Sequence, residues 1–143
     1  MAIKEVWTND DFQDMGWHDC RLYAVKFPQE ALELTLDIDY IFKWEKLKND
    51  RFRFLVAPCN LTFQGVLSLK LDLKITAAIG VDILAINRSL HELTPNKRSI
   101  WHYAIETDRG LIEFETIGFV QKIRSQPIWS SSQNHPSRID NPN

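Results

Sequence analysis

A chain of 143 residues, 44% apolar and 25% charged, has the composition of a single globular domain with a core of its own. Its formal net charge of -2 argues against a dedicated nucleic-acid binder, and no apolar run approaches the ~20 residues that span a bilayer. The opening MAIKEVWTNDD lacks the apolar centre of a signal peptide, and Cys20 and Cys59 match no metal or redox spacing, so a cytoplasmic protein with reduced thiols is expected. A Cys20–Cys59 disulfide is the less favoured alternative.

Ile3 to Trp7 reads as a short first strand. Thr8-Asn9-Asp10-Asp11 offers capping oxygens and acids for the positive end of a helix, and Gly16 suits its end. A short N-terminal helix over residues 9–15 is therefore expected, with Phe12 and Met15 turned inward. Residues 21–27 alternate as a strand, and Pro28-Gln29-Glu30 turns the chain into an antiparallel partner. In that partner Leu32, Leu34, Leu36, Ile38, Tyr40, Phe42 and Trp44 fall at every second position, which places them on one face. Glu33, Thr35, Asp37 and Asp39 take the other. At ~3.3 Å per residue the segment would reach roughly 40 Å, far beyond a typical strand of about 5–6 residues, so a bend or bulge is expected.

Residues 43–53 mix charges without a sustained apolar period and read as a loop with Asn49-Asp50 at its tip. Phe52, Phe54 and Val56 resume the alternation and stop at Pro58. Asn60–Phe63 follows as a short strand, and Gly65 marks a turn. Leu67, Leu69, Leu71, Leu73 and Ile75 predict a half-buried strand. Val81–Ile86 reads as another strand and Ser89–Lys97 as a loop. Over Ile100–Ile117 a hairpin with Thr107-Asp108-Arg109-Gly110 as its loop pairs Ile105 with Ile112, Tyr103 with Phe114 and Trp101 with Thr116. It also sets His102 opposite Glu115. A three-residue loop would mix the two faces, so the four-residue register is preferred. Gly118 breaks the pattern before Phe119–Ile123.

The fold class is therefore mainly antiparallel β: a strongly bent sheet, sandwich or barrel of about 8–9 strands with one short N-terminal helix. Residues 1–125 form a single β-rich domain. Residues 126–143 are polar, hold three of the six prolines, and read as a flexible tail.

Asp37 and Asp39 sit at i and i+2 of a strand, about 6.6 Å apart at Cα, so both can reach one hard cation. His18 and Asp19 lie nearby if the hairpin forms, and the four residues make a candidate ligand or metal cluster. Against this, DxD is a common pattern and a carboxylate row on a strand is usually just solvated. His18 and Asp19 would also point opposite ways in an extended chain, which favours His18 fixing the turn through a hydrogen bond. His102 opposite Glu115 could act as a base with its orienting acid, although such pairs are more often surface interactions. Trp44 and Phe52 beside basic residues raise RNA contact, but the phase of their strands sends both rings inward. Cys59 reads as a buried apolar residue. The chain has no GxGxxG, P-loop, HExxH or CxxC, so no cofactor is expected.

The runs GWHD at 16–19, DIDYIFKW at 37–44, FLVAPCNLTF at 54–63 and IGFVQKIRSQP at 117–127 resemble a family of small bacterial domains of uncharacterised function. The WHD opening followed by an alternating strand is more distantly similar to some immunity proteins of bacterial toxin systems. The first resemblance implies a bacterial β-rich domain and supplies no catalytic residue. The expected function is a non-catalytic module that binds a partner protein, or a second copy, through a sheet face or an aromatic patch; an immunity or inhibitor role is one form of it. A small-ligand or divalent-metal-dependent activity at His18, Asp19, Asp37 and Asp39 is the alternative. A lipocalin-like carrier would need the apolar face to line a cavity.

Overall fold

The longest alternation in the sequence produces the longest strands. The computed structural model describes residues 4–76, 80–96 and 98–139. Its strands are β1 (Val6–Thr8), β2 (Arg21–Lys26), β3 (Leu34–Lys46), β4 (Phe52–Gln64), β5 (Leu67–Leu73), β6 (Val81–Leu93), β7 (Ser99–Thr107), β8 (Gly110–Thr116), β9 (Gly118–Ile123) and β10 (Ile128–Ser130). All pair antiparallel in one open sheet of order β1-β9-β4-β3-β2-β6-β7-β8-β5, with β10 beside β4. The mainly-β expectation holds, with ten strands among the described residues. The expected N-terminal helix is a 3₁₀ turn, Asn9–Asp14, with Phe12 and Met15 against the core. No helix among the described residues is long and apolar enough to cross a membrane. Ile3, Lys97 and the last four residues of the expected tail lie outside the described residues.

The sheet folds over on itself at a narrow joint. Strands β2 and β6 share only the pairs Arg21↔Asp82 and Leu22↔Val81. On one side lie β1, β9, β4, β3 and β2; on the other lie β6, β7, β8 and β5. Phe63 of β4 is 5.1 Å from Tyr103 of β7 and 4.6 Å from Phe114 of β8, although three strands separate β4 from β7 in the sheet. The two arms therefore meet face to face. Leu34, Leu36, Ile38, Cys59 and Leu61 of one arm and Ile83, Ile105 and Ile112 of the other are fully buried in one cluster. The alternating face is thus a packed interior rather than the wall of a carrier's cavity.

Residues 100–117 form the hairpin in the expected register, with Trp101↔Thr116, Tyr103↔Phe114 and Ile105↔Ile112 paired. Thr107 and Gly110 also pair, so Asp108-Arg109 alone makes the turn. Elsewhere the strands outrun the sequence reading. β4 is continuous through Pro58, whose carbonyl accepts the Arg124 N–H on the β9 side at 2.8 Å. A strand residue points its N and its C=O the same way. The missing N–H of Pro58 therefore faces the gap between β9 and β10 and costs no bond to β3. Residues 89–93, expected in a loop, complete β6 past a bulge near Leu90. β5, expected half-buried, is the sheet's edge, and its Leu67 is 53% exposed. The segment expected as a tail returns to the domain: β10 pairs with residues 54–56, and His135 is buried.

Candidate functional site

The four acid and histidine positions are divided between two neighbourhoods. Asp37 and Asp39 share a face of β3, as their i, i+2 spacing requires, but that face is covered. Asp39 is completely buried. Its Oδ2 accepts from the Tyr23 hydroxyl at 2.7 Å and from the His135 backbone N–H at 2.8 Å, and its Oδ1 accepts from Arg138 Nε at 3.3 Å. Arg138 also forks onto Asp37, with Nη2 at 2.6 Å and Nη1 at 3.1 Å, and Arg124 adds a third donor at 2.8 Å. The Arg138 guanidinium lies 3.9 Å from the centre of the Tyr23 ring. Burial would raise the Asp37 carboxyl, but the hydrogen bonds from Arg138 and Arg124 outweigh it and hold the group below its ordinary range. Burial, then the bond to Asp39, pushes the Tyr23 phenol up.

These carboxylates are therefore the anchor for a C-terminal strap, residues 128–139. Their oxygens face guanidinium, phenol and amide donors, an arrangement that leaves a cation little room. Among the described residues no three His, Cys, Asp or Glu side chains are placed to hold a metal ion.

His18 and Asp19 stand apart from that anchor, in a turn where Asp19 adopts φ 66. The expectation that they point opposite ways assumed an extended chain. The left-handed residue instead brings Asp19 Oδ2 to 3.4 Å from His18 Nε2, while His18 Nδ1 donates to the Leu84 carbonyl at 3.0 Å. Gln133 of the strap donates to Asp19 at 3.2 Å. Asp14, His18, Asp19 and Gln133 form the polar rim of an open groove of about 630 Å³ whose other wall is Tyr40, Phe42, Trp44, Phe52 and Phe54.

Trp44 and Phe52 do not point into the core. β3 carries a bulge between Ile41 and Lys43, which reverses the phase of the strand beyond it. Trp44 then lies opposite Phe54, on the side of the sheet that holds Asp37 and Asp39. Toward its tip the β3–β4 hairpin is flanked by β10 at residues 54–56, and past Phe54 it is two-stranded among the described residues. Trp44 is 67% exposed, Phe52 is 40% exposed, and their rings lie 5.6 Å apart. Leu47 and Ile128 add exposed apolar surface, and Trp129 stacks under Arg53 at 4.2 Å. Arg53 pairs with Glu45 at 3.0 Å and Lys46 with Asp50 at 3.3 Å. Lys43, Lys48 and Arg51 make no ion pair among the described residues, so the tip carries a net positive charge on a chain whose total is -2.

The other candidates have ordinary surroundings. Cys20 and Cys59 are free and buried, and burial pushes each thiol up to about 12, too far for a nucleophile near neutral pH. His102 and Glu115 are register partners, but His102 Nε2 lies 3.6 Å from Glu113, while His91 approaches Glu115 at 3.4 Å. Sequence reasoning did not anticipate Tyr23, Arg124, His135 or Arg138 as partners of the aspartates. The Arg in the polar tail was the available signal, being the one cation there able to fork onto a carboxylate pair. No protein-family model, curated protein or solved structure matches this chain.

Proposed function

We propose that this chain is a non-catalytic module that binds a partner protein through the aromatic tip of the β3–β4 hairpin. The observation that carries this reading is Trp44, two-thirds exposed beside Phe52 near the tip of the hairpin, surrounded by Lys43, Lys48 and Arg51, which make no ion pair among the described residues. Aromatic side chains on an open surface supply large contact area at low entropic cost and dominate interface energetics. The surrounding positive charge selects a partner whose apolar patch is rimmed with Asp and Glu. A bacterial immunity or inhibitor role is one form of such binding.

Affinity capture with the wild type and with the Trp44→Ala, Phe52→Ala double variant tests it. The expected result is an acidic partner held by the wild type, released by added salt, and lost with the double variant. A partner retained equally by both, or none at all, would sink the reading.

The groove between the tip and His18 supports a second reading, a small ligand stacked on Tyr40 or Trp44 and oriented by Asp19. Its divalent-metal form makes a separate prediction. Added Mg²⁺ or Ca²⁺ should leave the melting temperature where a chelator leaves it, because Asp37 and Asp39 are occupied by Arg138. A metal-dependent rise, lost with Asp37→Ala and Asp39→Ala, would restore that form.

A further inference from the structure

We infer that two copies of this chain pair through β5, antiparallel about a two-fold axis at Leu71, to continue one sheet across a dimer. β5 closes the strand order and, among the described residues, pairs only with β8. Two contacts fix which way its backbone groups point. The Lys74 N–H donates to the Arg109 carbonyl at 2.9 Å, and the Asp72 carbonyl lies so close to Gly110 that a Cβ there would overlap it. Residues 72 and 74 thus direct their groups toward β8. Strand alternation then turns the N–H and C=O of Leu71 and Leu73 outward, where they have no ladder partner among the described residues.

The sequence from Leu69 to Leu73, LKLDL, is complementary to itself in this register. With Leu71 opposite its own copy, the outward N–H and C=O of the two Leu71 residues bond reciprocally. Lys70 of each copy faces Asp72 of the other, on both sides of the axis. Neither Lys70 nor Asp72 makes an ion pair within the chain among the described residues, and both lie on the non-core side, opposite Glu113 and Leu111. The leucines lie on the core side. Leu71 aligns with the buried Ile112 yet is 37% exposed, because the sheet ends there. The second copy's Leu69, Leu71 and Leu73 extend that layer. Self-complementarity of this kind is what an isologous two-fold interface requires.

Sedimentation velocity on the full chain tests the register. The wild type should show a dimer that grows with protein concentration and weakens with salt. Lys70→Asp and Asp72→Lys should each weaken dimerisation about tenfold or more, since each sets two like-charged pairs across the axis. Mixed in equal amounts, the two variants restore both opposite-charge pairs and should dimerise as the wild type does. Leu71→Pro removes an outward N–H without touching the β8 ladder and should give a monomer with an unchanged circular dichroism spectrum. A wild type monomeric at every concentration overturns the inference. So does a dimer that survives Leu71→Pro and both charge variants, or a mixture no more dimeric than its components.

Discussion

Strand β3 has two ends with opposite fates. From Thr35 to Asp39 it lies between β2 and β4, and Leu36 and Ile38 there are fully buried against the other arm. From Lys43 to Lys46 it pairs with β4 alone, and Trp44 is exposed. The inversion is sharpest in one pair: Asp39, a carboxylate, is completely buried, while Trp44, five residues on, is two-thirds in water. Alternation states which side chains share a face; burial depends on whether another layer covers that face. The C-terminal strap covers the aspartates but leaves Trp44 two-thirds exposed. A buried charge must be paired where it sits, whereas an exposed indole remains available for an external contact.

Removing the buried end's charge should have the largest effect on stability. Asp39→Ala leaves the His135 N–H and the Tyr23 hydroxyl without their acceptor and Arg138 with Asp37 alone. Breaking a buried pair by deleting one partner typically costs about 3–5 kcal/mol. Because Arg138 keeps Asp37, a loss near 3 kcal/mol is expected in urea unfolding. Asp39→Asn, which keeps an acceptor oxygen, should lose less. A cost below about 1 kcal/mol, the range of an exposed contact, would mean that the strap does not bury Asp39 in solution.

Arg138→Ala comes next, at about 1–3 kcal/mol, since Asp39 retains its phenol and amide donors. This variant carries a pH signature. The Asp37 carboxyl is held below its usual value in the fold, so the unfolded chain binds more protons across the interval between the two pKa values. Its contribution is complete above the unfolded value near about 3.9 and is lost as pH falls through the folded one. The stability gap between wild type and Arg138→Ala should therefore narrow below about pH 4. A gap that stays constant to the lowest pH at which both fold would remove Asp37 from the anchor.

The same contrast explains what could be read in advance. The hairpin at 100–117 was legible because its two faces differ in polarity at every position, and a slip would bury Glu113 or Glu115. The i, i+2 relation of Asp37 and Asp39 was legible for the same reason. Their partners were not, because Arg138 is 99 residues from Asp39 and sits in a segment whose composition resembles a disordered tail. The bulge at residue 42 was expected only as a bend somewhere in a long strand. Its position sets the side on which Trp44 emerges, and no local residue marks it. At β5 the apolar period was read correctly, but a period of two is identical for a central strand and an edge strand.

The exposed end should show the smallest change in stability. Trp44→Ser with Phe52→Ser removes two rings that contact each other and water, so the expected change is within about 1 kcal/mol, the range of a single cross-strand pair and of surface substitutions generally. Calorimetry against Asp39→Ala makes the comparison direct. If the double variant unfolds as easily as the aspartate variant, the tip is part of the fold and not a surface held out for a partner. If it melts with the wild type while losing the captured partner, stability and binding reside at opposite ends of β3.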